Sequence, residues 1–269
     1  MKIRNNIVDL GIQSIVMKKE STFNKAMIYD DNCPLCRCYT NVFVKTGLLK
    51  KENRIAFSEL DTAAVSIDWN RARHEIPLID MDTSYVEYGI DALVTVLQQK
   101  FSLIKPIMKI KPIIWFFRKL YKLVSYNRRI IVASVYKGNC GFDCRPDFNY
   151  NYRLVLLMVL LVITNVFLFA FTTIIHLPVT LIYCSLIGPL LFLLFHKKET
   201  NKLELSVHYG IIWVIASFLL LLTASIQNFL LGTFPIVLCV GCGIIITIVA
   251  QQIIRRIHFI KNDRINEMQ

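Results

Sequence analysis

The residues with the most specific chemistry in this chain are Cys33-Pro34-Leu35-Cys36. Thiol–disulfide exchange needs a thiolate to attack, a second thiol near enough to resolve the mixed disulfide, and access for the partner. If a helix begins at Pro34, Cys33 stands at its N-terminal end, where unpaired backbone N–H groups and the helix dipole favour the thiolate. Cys36 then falls one turn later on the same face. Asp30 and Asp31 disfavour a nearby negative charge and Arg37 favours it, so the pair is expected to be reducing rather than strongly oxidising. On this reading Cys33 is the more exposed thiol and the nucleophile, Cys36 resolves, and no cofactor is needed beyond the pair itself.

Eight cysteines are present, and they do not all need roles. Cys38 follows in the same helix and reads as a small buried hydrophobe. Cys140-Gly-Phe-Asp-Cys144 lies in a turn-rich segment and is either a possible second redox or metal pair or a set of incidental loop thiols. Cys239-Val-Gly-Cys242 reads as small thiols at a helix-packing seam, with Pro235, Gly241 and Gly243 able to loosen the backbone there. Cys184 reads as apolar filler. The rival to redox chemistry is a four-thiolate zinc centre made by Cys33, Cys36, Cys140 and Cys144. Against it, Arg37 and a helical pattern follow Cys36, where zinc knuckles place a glycine. A non-catalytic thioredoxin-like membrane scaffold is the third reading. No nucleotide-binding loop and no hydrolase-like cluster appears; His74 and His208 are isolated and read as solvated or packed.

The elements that must position the pair follow from periodicity. Residues 25–30 read as a short buried strand and residues 34–46 as a helix with proline in its first turn, where the missing N–H costs nothing. Residues 54–60 read as a second strand, 76–80 and 84–88 as two strands joined by a turn, and 90–100 as a helix. That order is compatible with a thioredoxin-like α/β domain.

Three blocks carry a family resemblance: Ile28-Tyr-Asp-Asp-Asn-Cys-Pro-Leu-Cys-Arg37, Tyr88-Gly-Ile-Asp-Ala-Leu93 and Tyr121-Lys-Leu-Val-Ser-Tyr-Asn-Arg128. Together they resemble the DCC family of predicted thiol-disulfide oxidoreductases, over about residues 26–129. The resemblance implies a thioredoxin-like fold and protein-disulfide reductase-type chemistry, with Cys33 and Cys36 at the positions of the family's paired cysteines. It also draws attention to Ile76-Pro77, since thioredoxin-like folds place a cis-proline just before a strand, facing the cysteines.

The rest of the chain is a different kind of sequence. Hydrophobic residues make up 55% of the whole, above the ~45–50% of soluble chains. The excess lies in four uncharged runs, residues 154–175, 177–195, 209–226 and 229–250, each near the ~20 helical residues that cross a bilayer. The organisation expected is therefore an N-terminal extension (1–24), a thioredoxin-like domain (25–136), a cysteine-containing juxtamembrane linker (137–153), an all-α region of four transmembrane helices (154–254) and a basic tail (255–269). No signal peptide is apparent in residues 1–20. Arg145, Arg153, Lys197, Lys198, Lys202, Arg255, Arg256, Lys261 and Arg264 all fall on one side of the spans. By the positive-inside rule, that side, with the N-terminal domain and the C-terminus, is cytoplasmic.

The net charge is +12, and residues 100–129 hold nine basic residues and no acidic one. Large apolar and aromatic side chains interleave with those charges, which suits an interfacial segment above anionic lipid better than a nucleic-acid surface; an ordinary packing helix is the alternative. Pro106 and Pro112 should divide it into short pieces. The partners expected are a disulfide substrate, a thiol electron donor and the lipid bilayer, with no nucleic acid.

Overall fold

The computed structural model describes residues 24–60, 66–133, 145–176, 200–229 and 235–267. Its N-terminal part is built around β1 (Lys25–Tyr29), whose last four residues are all buried. The chain then enters α1 (Pro34–Lys45), with Cys33 at the N-cap and proline at the first helical position. β2 (Arg54–Ala56) is shorter than its sequence suggests, because the chain tightens into a 3-10 turn at Phe57–Glu59 that buries Phe57. A single helical turn, α2 (Trp69–Ala72), is capped by the Asp68 side chain. β3 (Pro77–Asp80), β4 (Val86–Tyr88) and α3 (Gly89–Leu97) complete the unit.

The four strands form one mixed sheet in the order β2-β1-β3-β4. β1 runs parallel to β2 and antiparallel to β3, and β3 runs antiparallel to β4. The parallel β1–α1–β2 crossover is what carries α1 onto one face of the sheet and Cys33 to the C-terminal end of the central strand. Met27, Leu78, Ala92 and Val96 fill the core between that face and the helices.

The basic stretch is not broken into short pieces as expected: it divides once, between Met108 and Lys111, because Pro112 falls in a first helical turn, where its missing N–H costs nothing. α4 (Ile104–Met108) is a short helix containing Pro106, and α5 (Lys111–Val132) is a 22-residue helix with Pro112 in its first turn. Three long helices follow: α6 (Tyr150–Ile175), α7 (Thr200–Phe229) and α8 (Pro235–Glu267). Among the described residues, three helices are long and apolar enough to cross a membrane, over Tyr150–Ile175, Leu203–Phe229 and Val240–Ile260. This corrects the expectation of four within the described structure; the expected span at 177–195 lies outside the described residues. The expected tail is also not separate, since α8 runs on without interruption to Glu267. Nor do Gly241 and Gly243 break α8. A Cβ at Gly241 would lie 2.5 Å from Thr223 Cγ2, so this glycine lets α8 approach α7 closely.

The two parts are joined through polar contacts at the C-terminal end of α5. Asn127 is fully buried; its amide donates to the carbonyls of Leu123 (2.7 Å) and Tyr152 (3.1 Å), and its oxygen accepts from Arg153 (3.0 Å). Arg256 donates to the Ile130 carbonyl and Arg255 to the Val132 carbonyl, at 2.9 and 2.8 Å. These carbonyls belong to the last turn of α5, which lacks the next helical turn to bond them; the Ala133 N–H reaches only Ile130 of the two, at 3.3 Å.

Candidate active site

Asp30 organises the turn between β1 and α1. Its backbone carbonyl accepts from Cys33 N–H at 3.2 Å and its carboxylate accepts from Asn32 N–H at 3.0 Å. Thr40 fixes the next turn of α1: its hydroxyl donates to the Cys36 carbonyl at 2.7 Å and accepts from Arg54 Nε of β2 at 2.9 Å. The two cysteines are therefore held by both neighbouring strands.

Both thiols are free, and both are buried in the main core cluster with Met27, Tyr29, Ile76 and Leu78. Cys33 is 2% exposed and Cys36 5%, so the sequence reading that Cys33 is the more accessible of the two is corrected. The residues around the helix start pack over the N-cap as tightly as over the first turn. What separates the two thiols is protonation. The Cys36 thiol donates a hydrogen bond to the Cys33 sulfur, and this, with the Arg128 charge, outweighs burial and pulls Cys33 down to about 6. The same hydrogen bond, reinforced by burial, pushes Cys36 well above the ordinary thiol range.

The cation acting on the pair comes from far away in sequence. Arg128, on α5, is buried and donates to the Asp30 carboxylate at 2.9 Å. Burial raises the pKa of Asp30, and Arg128 opposes that rise. Burial also works against the Arg128 charge, but Cys36, Asp30 and Cys33 outweigh it and keep the guanidinium protonated. Arg37 lies exposed on α1, and Asp31 is partly buried and accepts from the Ser58 hydroxyl at 2.9 Å.

Pro77 is buried at the start of β3, and Ile76 belongs to the same cluster as the cysteines. The Ile76–Pro77 peptide is trans, as are all others among the described residues, which corrects the expected cis bond. Ile76 is tied on both sides: its N–H donates to the Tyr121 hydroxyl at 2.9 Å and its carbonyl accepts from Gly89 N–H at 2.9 Å. Extended backbone is the favoured state before proline and needs no unusual peptide. Gly89 has φ +63°, and a Cβ there would lie 3.1 Å from the Tyr121 ring, so glycine is required where β4 turns into α3. Tyr121 and Arg128 thus bring α5 against β3 and the β1–α1 turn, and the three sequence blocks Ile28–Arg37, Tyr88–Leu93 and Tyr121–Arg128 meet around Cys33.

Residues 27–133 match the family model described as DCC1-like thiol-disulfide oxidoreductase. The matched residues run from β1 to the end of α5, so the DCC1-like domain includes the helix that supplies Arg128. No curated protein and no solved structure gives a significant match to the chain. Within the DCC1-like domain Cys38 is exposed on α1, not buried as its type suggests. His74 is not isolated: its Nε2 lies 2.9 Å from an Asp147 oxygen and its ring stacks on Tyr126. Outside the domain, His208 is buried beside Arg256, 2.8 Å from Nδ1, and Cys242 is half-buried on α8. Cys140, Cys144 and Cys184, and the Cys239 side chain, lie outside the described residues. Among the described residues no three His, Cys, Asp or Glu side chains gather in a metal-binding cluster. Arg128 escaped the sequence reading as a site residue because nothing in its spacing relates it to Cys33; only the Tyr121–Arg128 block of the family resemblance pointed to its neighbourhood.

Proposed function

We propose that the chain is a membrane-anchored thiol-disulfide oxidoreductase of the protein-disulfide reductase type, with a thioredoxin-like domain on the cytoplasmic side and Cys33–Cys36 as its redox pair. The observation that carries this reading is the placement of the pair: Cys33 at the N-cap of α1 and Cys36 one turn later, both free and buried in one cluster, with the Arg128 guanidinium held beside them on Asp30. The β2-β1-β3-β4 order, with a parallel first pair and antiparallel remainder, supports the fold assignment.

In the reaction, the Cys33 thiolate attacks one sulfur of a substrate disulfide. A Cys33–substrate S–S bond forms, the substrate bond breaks, and the leaving thiolate takes a proton. Cys36 then loses its proton and attacks the Cys33 sulfur, releasing the second substrate thiolate. Two electrons have passed to the substrate and the Cys33–Cys36 disulfide remains, to be reduced by an external thiol donor. Arg128 stabilises the thiolate at Cys33, and Asp30 balances that cation. The lowered Cys33 supplies the attacking thiolate and the raised Cys36 keeps its proton until the mixed disulfide has formed.

Single mutants test the assignment because the roles differ. Cys36→Ser should trap disulfide partners as mixed disulfides through Cys33, whereas Cys33→Ser should trap little and alkylate slowly near neutral pH. Cys38→Ser should change neither result. Retention of disulfide-reductase activity by both single mutants, or stoichiometric zinc with no reversible disulfide in the purified protein, would replace the redox reading.

A further inference from the structure

Among the described residues, α5 has two occupied faces and one left uncovered. Tyr121, Ser125 and Arg128 pack into the N-terminal domain, and Leu123 and Ile130 into the helical cluster with Leu156, Leu157 and Val207. The remaining face carries Phe116, 56% exposed, then Leu120 and Val124 at four-residue spacing; Trp115, 62% exposed, lies about 100° around the helix from Phe116, near the start of α5. Leu103 and Ile107, on and beside α4, are exposed as well. A contiguous apolar surface of this kind in water marks an interaction site.

Charge decides which partner fits. Lys105, Lys109, Lys111 and Lys119 are exposed around the apolar side chains, and residues 100–129 contain no acid. A second copy of the same face would set lysines against lysines; an anionic surface would not. Position points the same way. The last turn of α5 is bonded to Arg255 and Arg256 near the end of the Val240–Ile260 span, and Asn127 to Tyr152 and Arg153 at the start of the Tyr150–Ile175 span. The helix is therefore fixed at the level where the apolar spans end. We propose that the exposed face of α4 and α5 docks on the anionic lipid surface of the bilayer that holds the spans, with Trp115 in the headgroup region and the lysines on lipid phosphates. Trp115 lies 17 residues before Val132, about 25 Å along the helix, so α5 must run close to the bilayer plane. The inference does not depend on the redox reading.

The test uses the full chain in liposomes. With Trp69→Phe and Trp213→Phe, Trp115 becomes the single tryptophan. Its emission should be quenched by phosphatidylcholine brominated on the acyl chains and protected from acrylamide, more so when phosphatidylglycerol is present and less so as salt rises. Replacing one of Lys105, Lys109 or Lys111 by Gln should lower the ratio of docked to undocked chain about fivefold per residue. In the unaltered chain, phosphatidylglycerol should slow tryptic cleavage after Lys109 and Lys119, the two of these lysines not followed by proline, a readout that needs no substitution. Three outcomes would overturn the proposal: Trp115 open to acrylamide and silent to brominated lipid, Trp115 shielded from both as in a protein–protein contact, or trypsin cleavage indifferent to lipid charge.

Discussion

At the scale of the residue, Arg128 matters as much as the two cysteines. A helix N-terminus alone lowers a thiol modestly, and burial works in the opposite direction, so an acidic buried Cys33 needs both the Cys36 hydrogen bond and a nearby cation. Alkylation of Cys33 should accordingly rise with pH about a midpoint near 6, where an ordinary thiol rises near ~8.5. Arg128→Met should move that midpoint to higher pH and, by leaving Asp30 buried without its cation, cost about 3–5 kcal/mol of stability. Combining it with Asp30→Asn separates the two effects. Stability should largely return, while the midpoint stays high, because Arg128 acts on Cys33 more strongly than Asp30 does. Stopped-flow alkylation together with thermal unfolding checks both. The burial of Cys33 adds a further expectation: bulky maleimides should react more slowly than iodoacetamide, since the sulfur is reached only when its neighbours shift.

At the scale of the element, α5 joins everything else. One helix supplies the cation beside Cys33 and Cys36, holds Ile76 through Tyr121, and ends against three long helices. Asn127 sits at the junction with three hydrogen bonds and no exposure. Asn127→Leu should cost about 1–3 kcal/mol for each buried partner left unsatisfied, with Arg153 the most affected. The measurement is the unfolding midpoint of the full chain in detergent. If the junction is rigid, the DCC1-like domain and the long helices should lose stability together, with no separate early transition for one of them.

At the scale of the whole molecule, the distribution of basic residues sets the expected topology. Reporters attached at the N-terminus and at Gln269 should both report cytoplasm, and one inserted at Gln227 the opposite side. Equal sidedness of the two termini requires an even number of crossings, so the described spans need residues 177–195 as a fourth. Opposite sidedness would mean that this run does not cross. A reporter at Thr200 resolves the two cases directly, being cytoplasmic only if residues 177–195 return the chain.

Local periodicity and local chemistry were readable along the chain: β1, α1, β3 and β4 form within a residue or two of their expected bounds, and Cys33 stands at a helix start because Pro34 can occupy the first helical position but not the interior. The apolar runs were equally plain, because a long uncharged stretch has no polar face to show. β2 was read too long since alternation cannot report that residues 57–59 tighten into a turn. Tertiary structure alone decided the rest. It placed Arg128 on Asp30 across 98 residues of sequence, buried Cys33, which the sequence made the more exposed thiol, and tied Ile76 to Tyr121 and Gly89 with the Ile76–Pro77 peptide trans. These are pairings between distant segments, and the side-chain pattern of one segment does not record which other segment will supply its charge, its cover or its hydrogen bonds.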